Sequence, residues 1–107
     1  MKYGNKKTNV DGIVFGSQRE AKRYLDLTLL VRSGHISNLK TQVRFELAPS
    51  VMLGGRKKPA LRYVADFVYS NNAKETIVED VKGVVTPLFR VKQHLMKSVH
   101  NIEVIIV

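Results

Sequence analysis

Apolar residues near the start of the chain recur at helical spacing. Tyr24 and Leu27 follow Glu20 at steps of four and three residues, which is the period of one face of an α-helix. The segment Ser17 to Glu20 matches the S-x-x-E capping box that begins helices, and Ser33-Gly34 is typical of a helix end. The pattern therefore predicts a first helix of about four and a half turns.

After this helix the apolar period changes from helical spacing to two. From Thr41, the apolar residues Val43, Phe45 and Leu47 alternate with polar ones, which predicts a half-buried strand. Pro49 interrupts it, and a short apolar segment then leads to a glycine pair that favours a hairpin turn. The predicted segments that follow are Val51 to Leu53, the turn Gly54-Gly55, a return strand from Leu61 to Tyr69, and a third strand from Thr76 to Lys82.

The last third of the chain predicts a helix and a strand. Thr86-Pro87 is typical of an N-cap followed by proline at the first helical position, and Asn101 ends the apolar helical pattern that follows. Ile102 to Val107 is nearly all apolar, as expected of a strand buried on both faces. Residues 1–16 read as a basic lead-in with a short strand or turn around Val10 to Phe15. We therefore predict one α/β domain over residues 1–107, in the order helix, three strands, helix, strand.

Composition limits the class of protein. The chain has 107 residues, 44% of them apolar, and no cysteine. This favours a globular domain in a reducing compartment and excludes disulfide bonds and thiolate metal sites. Since no apolar run approaches the length of a membrane span and the N-terminus lacks a signal-peptide core, we expect an intracellular, cytoplasmic protein without a membrane partner.

The charge of the chain points to a polyanionic partner. Lysine and arginine total 18 against 9 acidic residues, which gives a net charge of +9 and a pI near 10.0. A field of this sign favours nucleic acid first and an anionic membrane second. It does not say what is done to the nucleic acid.

Two strand segments carry carboxylates where apolar residues are the rule. Side chains two apart on a strand share a face, so Asp80 and Lys82 point the same way and Glu79 points to the other face. Asp66 lies on the preceding strand, and the turn between the strands can bring it close to Asp80. Two such carboxylates repel, and a divalent cation such as Mg²⁺ relieves that repulsion. Lys82 would add a positive charge able to orient water or steady a phosphate oxygen.

These residues resemble the PD-(D/E)XK nuclease superfamily. The resemblance rests on Asp66, on Asp80-Val81-Lys82, and on Glu20 in the first helix, and the order of elements from about Ser17 onward is that of the superfamily core. Several segments are similar in sequence to a narrower group, the small phage and prophage proteins of that superfamily. Those segments are KYGNKKT, DGIVFGSQREAKRYLDL, ISNLKTQVRFEL, RYVADFVY and VEDVKG. The resemblance implies a restriction-endonuclease-like core, with a mixed sheet flanked by helices, in a phage or prophage protein of a bacterial host.

The resemblance also implies a role for each residue of the motif. Asp66 and Asp80 would hold Mg²⁺, with Mn²⁺ able to substitute, and the Val81 carbonyl would be a further ligand. Lys82 would be the catalytic lysine, and Glu20 would complete the acidic cluster as a catalytic residue and metal ligand. Gln42 resembles an accessory glutamine of some branches. The chain departs from the common pattern because Ala65 stands where proline is usual, and Asp80 where glutamate is commoner.

Each of these residues also has a structural alternative. Glu20 could serve only as the capping-box carboxylate. Asp66 could pair with Arg62 or Lys82. Asp80 and Lys82 could form an exposed ion pair at a strand edge, with Glu79 a surface or pairing residue.

The function that the sequence predicts is a Mg²⁺-dependent DNA endonuclease that recognises shape more than base sequence, such as a Holliday-junction resolvase or a nicking nuclease. Cutting both strands of a junction needs two active sites, which would suit a homodimer. The alternative is a basic nucleic-acid-binding module, or an inactive accessory protein on a nuclease fold, without chemistry. The expected DNA-backbone contacts are Lys6, Lys7, Arg19, Lys22, Arg23, Arg56, Lys57, Lys58, Arg90 and Lys97.

Overall fold

The computed structural model describes residues 6–107 and shows a small α/β domain with a mixed sheet and two helices. Four strands form the main sheet in the order β3-β6-β7-β8, in which only the β7–β8 pair is parallel. Two short hairpins, β1–β2 and β4–β5, lie outside that sheet. The elements are β1 (Thr8–Val10), β2 (Ile13–Phe15), α1 (Gln18–Arg32), β3 (Ser37–Ala48), β4 (Val51–Leu53), β5 (Arg56–Lys58), β6 (Leu61–Ser70), β7 (Thr76–Asp80), α2 (Pro87–His100) and β8 (Ile105–Ile106).

Both helices begin and end where local chemistry predicts. The Ser17 hydroxyl accepts the Glu20 N–H at 3.1 Å at the start of α1, and the Thr86 hydroxyl accepts the Phe89 N–H at 3.1 Å at the start of α2. These bonds satisfy amide groups that have no partner within the helix. Asn101 ends α2 in the left-handed conformation, with φ of 56°. The predicted helix positions are confirmed. Of the basic lead-in, residues 1–5 lie outside the described residues, and its predicted strand or turn is the β1–β2 hairpin.

Two hydrophobic clusters cover the two faces of the sheet. The neighbouring residues Ile77 and Val78 of β7 pack into different clusters, and neighbours on a strand point to opposite faces. One cluster, on the α1 side, consists of Phe15, Ala21, Leu27, Phe67 and Tyr69. The other, on the α2 side, consists of Leu47, Tyr63, Ala65, Val78, Phe89, Met96 and Val104.

The alternation of faces breaks in the middle of β3 and β6. Ala65 packs on the α2 side whereas Phe67 packs on the α1 side, although residues two apart normally share a face. The pairing of the two strands continues unshifted across the break, from Thr41 opposite Phe67 to Val43 opposite Ala65. Gln42, opposite the break, has a left-handed φ of 53°. Every second residue of β6 from Tyr63 to Tyr69 is buried, and these buried residues change from one cluster to the other at Asp66.

Two predicted strand boundaries are also wrong. The third strand was expected to reach Lys82 but ends at Asp80. The last strand, β8, has two residues rather than six, and Ile105 and Ile106 are 43% and 40% exposed because they lie at the edge of the sheet. The apolar run before them packs outside a strand, since Val104 is buried in the α2-side cluster.

A buried ion pair joins α1 to β7. The Glu79 side chain is 2% exposed and accepts two hydrogen bonds from the Arg23 guanidinium, at 2.8 and 2.7 Å. The Tyr69 hydroxyl donates to the same carboxylate. Burial and then this hydrogen bond raise the pKa of Tyr69 to about 12, and the hydrogen bond to Glu79 raises the pKa of Arg23. Glu79 therefore faces α1, away from Asp80, as predicted, and it is a buried pairing residue rather than a surface one.

Arg23→Met should destabilise the fold, because it leaves the Glu79 carboxylate buried without its cation. We expect the free energy of unfolding in urea to fall by about 3 kcal/mol, and Arg23→Met combined with Glu79→Gln to recover part of that loss. Arg32→Met, at the exposed end of the same helix, is the control and should change stability by less than about 0.5 kcal/mol. Equal losses for the two single variants would contradict a structural role for the pair.

Candidate active site

The candidate site lies where β7 parts from β6. Their last opposed pair is Phe67 and Glu79, and the same register would next place Asp66 opposite Asp80. At this level the Val81 N–H donates at 2.7 Å to a carboxylate oxygen of Asp66 instead of to the main chain of β6. A side chain thus replaces the next main-chain link, and the two carboxylates lie at the divergence of the strands.

Asp80 is held in a buried position by two partners. Its side chain is about 4% exposed, and one carboxylate oxygen accepts the Tyr63 hydroxyl at 2.6 Å. The other oxygen lies 3.5 Å from Lys82 Nζ, which is itself 4.7 Å from the centre of the Phe89 ring. Asp80 and Lys82 therefore point the same way, as predicted. Burial of Asp80 contradicts the alternative of an exposed ion pair.

Asp66 has no cation beside it to balance its charge. Neither Arg62 nor Lys82 pairs with it among the described residues, so the ion-pair alternative is wrong here. Gln42 donates to it at 3.4 Å, in line with the accessory position that the sequence predicted. Burial raises the pKa of Asp66 to about 7, and the charges of Asp80 and Glu20 add to that effect while the Val81 N–H opposes it. Asp66 therefore lies in a field with an excess of negative charge.

Glu20 contributes to this field from the start of α1. Burial raises the pKa of its carboxyl, followed by the charge of Asp80, whereas the Gly16 amide and Lys82 lower it. The Glu20 main-chain N–H donates to the Ser17 hydroxyl, but the backbone amide near its carboxylate is that of Gly16 and not of Ser17. The reciprocal bond of the capping box is therefore not made, and a role for Glu20 as ligand stays a prediction.

Asp66 and Asp80 form a pair of carboxylates, and Glu20 lies near them without completing a three-ligand metal site. Across residues 6–107, no group of three aspartate, glutamate or histidine side chains is close enough to hold a metal ion. Asp66 and Asp80 nevertheless offer hard oxygen donors in a negative field. Magnesium is usually bound by one or two carboxylates, with water and substrate phosphate oxygens completing its coordination. The pair fits that mode, and the part of Glu20 and of the Val81 carbonyl as ligands stays a prediction.

A cleft beside Asp80 contains two residues that sequence reasoning missed. It has a volume of about 200 Å³ and runs between the first residues of β6 and the first turns of α2. Tyr63 belongs to the α2-side cluster and also lines the cleft, and its sequence signal for a second role is a phenol hydroxyl that needs a partner when buried. Lys92 lies four residues after Leu88, on the same face of α2 as that cleft residue. The cleft therefore presents Lys82 and Lys92 together beside a buried carboxylate.

The structure separates the predicted DNA-backbone residues into two groups. Arg23 is engaged by Glu79, and Arg19 donates to the carbonyl oxygens of Lys82 and Val107 at 3.2 and 3.5 Å. Arg23 is therefore held within the fold, whereas Arg19 stays exposed. Contact with DNA stays a prediction for Arg19 and for the other exposed cations: Lys6, Lys7, Lys22, Arg56, Lys57, Lys58, Arg90 and Lys97.

Comparison with known proteins places the chain in a family. A family described as "Protein of unknown function (DUF1064)" matches residues 1–105, so the chain belongs to it. No curated protein and no solved structure matches the chain. Neither helix of the described residues is long and apolar enough to cross a membrane.

The raised pKa of Asp66 should make stability depend on pH. Between its ordinary value of 3.8 and about 7 the folded state retains a proton that the unfolded state has lost, so stability falls as pH rises through this window. Asp66→Asn should remove that fall and, in EDTA, be more stable than wild type at pH 8 by on the order of 1 kcal/mol. The measurement is urea unfolding at pH 5 and pH 8, with Asp26→Asn, an exposed carboxylate of α1, as control. The same pH dependence in wild type and Asp66→Asn would contradict this assignment.

Proposed function

We propose that this member of the DUF1064 family is a metal-dependent DNA endonuclease. The observation that carries the proposal is the juxtaposition of Asp66, Asp80 and Lys82 where β6 and β7 diverge. A pair of carboxylates with unbalanced charge, of which Asp80 is buried and Asp66 half-buried, costs free energy unless it binds something positive. Selection for stability alone would not place it there.

The order and pairing of the elements support the restriction-endonuclease-like core as the fold of this proposal. Helix α1 is followed by three strands of the main sheet, each antiparallel to its neighbour, then by α2 and a strand parallel to β7. The acids lie on the second and third of those strands, and Glu20 lies on the preceding helix. This is the arrangement expected of a PD-(D/E)XK nuclease, and fold similarity alone would not establish the chemistry.

The chemistry proposed is hydrolysis of a phosphodiester bond. Magnesium held by Asp66 and Asp80 would supply a Lewis acid and favour ionisation of water. Lys82, beside Asp80, steadies a phosphate oxygen or orients the attacking water through its ammonium donors. Water adds to phosphorus and one ester P–O bond breaks, which leaves a phosphate monoester and a free hydroxyl. Tyr63 fixes the orientation of the Asp80 carboxylate.

The substrate class follows from charge. The net charge is +9, and the exposed cations can bind phosphates without reading bases. Contacts of this kind favour a structure-selective nuclease acting on branched or recombination DNA, alone or as a homodimer.

Cleavage assays test this function. We expect linear duplex, flap or four-way junction DNA to be cut with Mg²⁺ or Mn²⁺ and not in EDTA. Asp80→Asn and Lys82→Met should lower the rate at least about 100-fold, because each removes a group that acts on the reacting phosphate. Asp26→Asn, at an exposed carboxylate away from the site, should cut like wild type. The readout is the rate of product formation from end-labelled DNA.

The opposite result would support the alternative function. Binding of all these DNAs without a cut in any of them, with Mg²⁺ or Mn²⁺ present, would contradict the nuclease proposal. It would make the chain a basic binding module or an accessory protein, with Asp66 and Asp80 in structural roles.

Metal binding can be tested without activity. At pH 8 we expect Mg²⁺ or Mn²⁺ at about 100 times its dissociation constant to stabilise the wild type by about 2.7 kcal/mol, which raises Tm by several degrees in a domain of this size. Asp66→Asn and Asp80→Asn should lose that shift and Asp26→Asn should retain it. The measurement is thermal unfolding followed by circular dichroism. Equal shifts in all four proteins would place the metal elsewhere.

A further inference from the structure

The β4–β5 hairpin is an exposed two-stranded ribbon. All six of its strand residues are exposed, and neither hydrophobic cluster includes any of them. Gly54 and Gly55 make the turn with φ of 56° and 76°, conformations that suit a tight hairpin. The apolar residues Val51, Met52 and Leu53 are 48%, 64% and 60% exposed. The ribbon therefore contributes little to the core and exposes apolar side chains to solvent.

The pairing of the ribbon places a cation opposite every apolar residue. Val51 pairs with Lys58, Met52 with Lys57, and Leu53 with Arg56. Directly opposed side chains on an antiparallel pair lie on the same face. Each face of the ribbon therefore carries both apolar and cationic groups, and neither face is purely apolar.

The ribbon projects from the end of the sheet at which the candidate site lies. Strand β7 runs from its turn towards Asp80, antiparallel to β6, so β6 continues past the end of β7 towards the ribbon. At about 3.3 Å per residue, Lys58 lies at most about 26 Å along the chain from Asp66. That distance is less than one turn of B-DNA, about 34 Å. One duplex can therefore reach both the site and the ribbon.

We propose that the β4–β5 ribbon inserts into the major groove of duplex DNA next to the candidate site. A two-stranded β-ribbon fits that groove, which is about 12 Å wide. Met52 and Leu53 point to opposite faces of the ribbon, so the one on the face turned to the groove floor would contact base edges and thymine methyl groups, while Arg56, Lys57 and Lys58 would contact phosphates at the groove walls. The major groove of A-form RNA is too narrow and deep for such an element. The ribbon thus selects B-form DNA over duplex RNA, and this inference rests on the DNA-binding part of the proposed function, not on its chemistry.

Charge placement disfavours the two other occupants. An element that lies on an anionic membrane separates an apolar face from a cationic one, and the ribbon mixes both on each face. A second copy docking ribbon to ribbon would bring Arg56, Lys57 and Lys58 of each chain against one another, and like charges in contact repel.

Salt-dependent binding tests the charged part of the proposal. The ribbon-charge variant combines Arg56→Gln, Lys57→Gln and Lys58→Gln. The matched control combines Arg32→Gln, Lys40→Gln and Lys74→Gln, which also removes three positive charges, but from exposed positions outside the ribbon. Binding of a 20-base-pair DNA duplex is followed by fluorescence anisotropy in EDTA, so that no cleavage intervenes. The slope of log K against log salt concentration is negative, and we expect its magnitude to decrease by up to about 2.7 in the ribbon-charge variant. In the control it should decrease by less than about 1.

The apolar part is tested by two further variants. Met52→Ser with Leu53→Ser should weaken binding to duplex DNA at least about fivefold and leave the salt slope unchanged, because no phosphate contact is lost. In the same variant, the ratio of the affinity for a DNA duplex to the affinity for an RNA duplex of the same sequence should decrease. Since the chain has no cysteine, Met52→Cys introduces a single thiol. Duplex DNA should slow the alkylation of this thiol. The thiol introduced by Lys74→Cys should be alkylated at the same rate with and without DNA.

Several outcomes would overturn the proposal. Equal salt slopes for the ribbon-charge variant and its control, or no protection of the introduced ribbon thiol by DNA, would show that the ribbon does not contact DNA. This conclusion holds even if the wild type binds DNA. Ribbon-dependent binding to phosphatidylserine vesicles without DNA binding would assign the ribbon to a membrane. Ribbon-dependent self-association in sedimentation would assign it to a second copy. Absence of cleavage leaves this test intact, because binding is measured without metal.

Discussion

Asp66 and Asp80 bring two negative charges to the point where β6 and β7 stop pairing, and much of the surrounding structure responds to that constraint. The Val81 N–H and the Tyr63 hydroxyl each donate to one of the carboxylates, and Lys82 lies beside the second. These contacts satisfy oxygens without neutralising the pair, because Lys82 is the only cation at ion-pair distance from either carboxylate among residues 6–107. The main-chain pairing of β6 with β7 ends at this level, and Asp80 lines the cleft beside α2. A divalent cation would supply the missing positive charge.

The residue before Asp80, Glu79, stabilises the fold on the other face of β7. Glu79 is as buried as Asp80 but faces α1, where the Arg23 guanidinium and the Tyr69 hydroxyl satisfy its carboxylate. One strand end thus places a single acid with its own cation on one face and, on the other, an acid that shares its surroundings with a second carboxylate, Asp66. The difference lies in the partners and not in the depth of burial, since a buried charge is tolerated only when its partners match it.

Local sequence patterns predicted much of the fold. The features that they missed depend on contacts between residues far apart in the chain. The S-x-x-E and Thr-Pro segments located both helices because capping depends on a few neighbouring residues. The two-residue period and the hairpin turn brought Asp66 towards Asp80 correctly. The face change at Gln42 has no local signal, since glutamine rarely adopts a positive φ. The burial of Glu79 depends on Arg23, 56 residues earlier in the chain, and the hydrogen bond of the Tyr63 hydroxyl depends on Asp80, which lies on another strand.

The first two turns of α1 contact three successive parts of the site. Arg19 binds the carbonyl of Lys82, Glu20 lies in the field of Asp80, and Arg23 holds Glu79. The rotation of this helix about its own axis is therefore fixed by the same strand end that carries the acids. In a mutational scan scored by activity alone, substitutions at all three positions would look catalytic. Among related sequences, α1 and the end of β7 should change together, as two halves of one part, rather than independently.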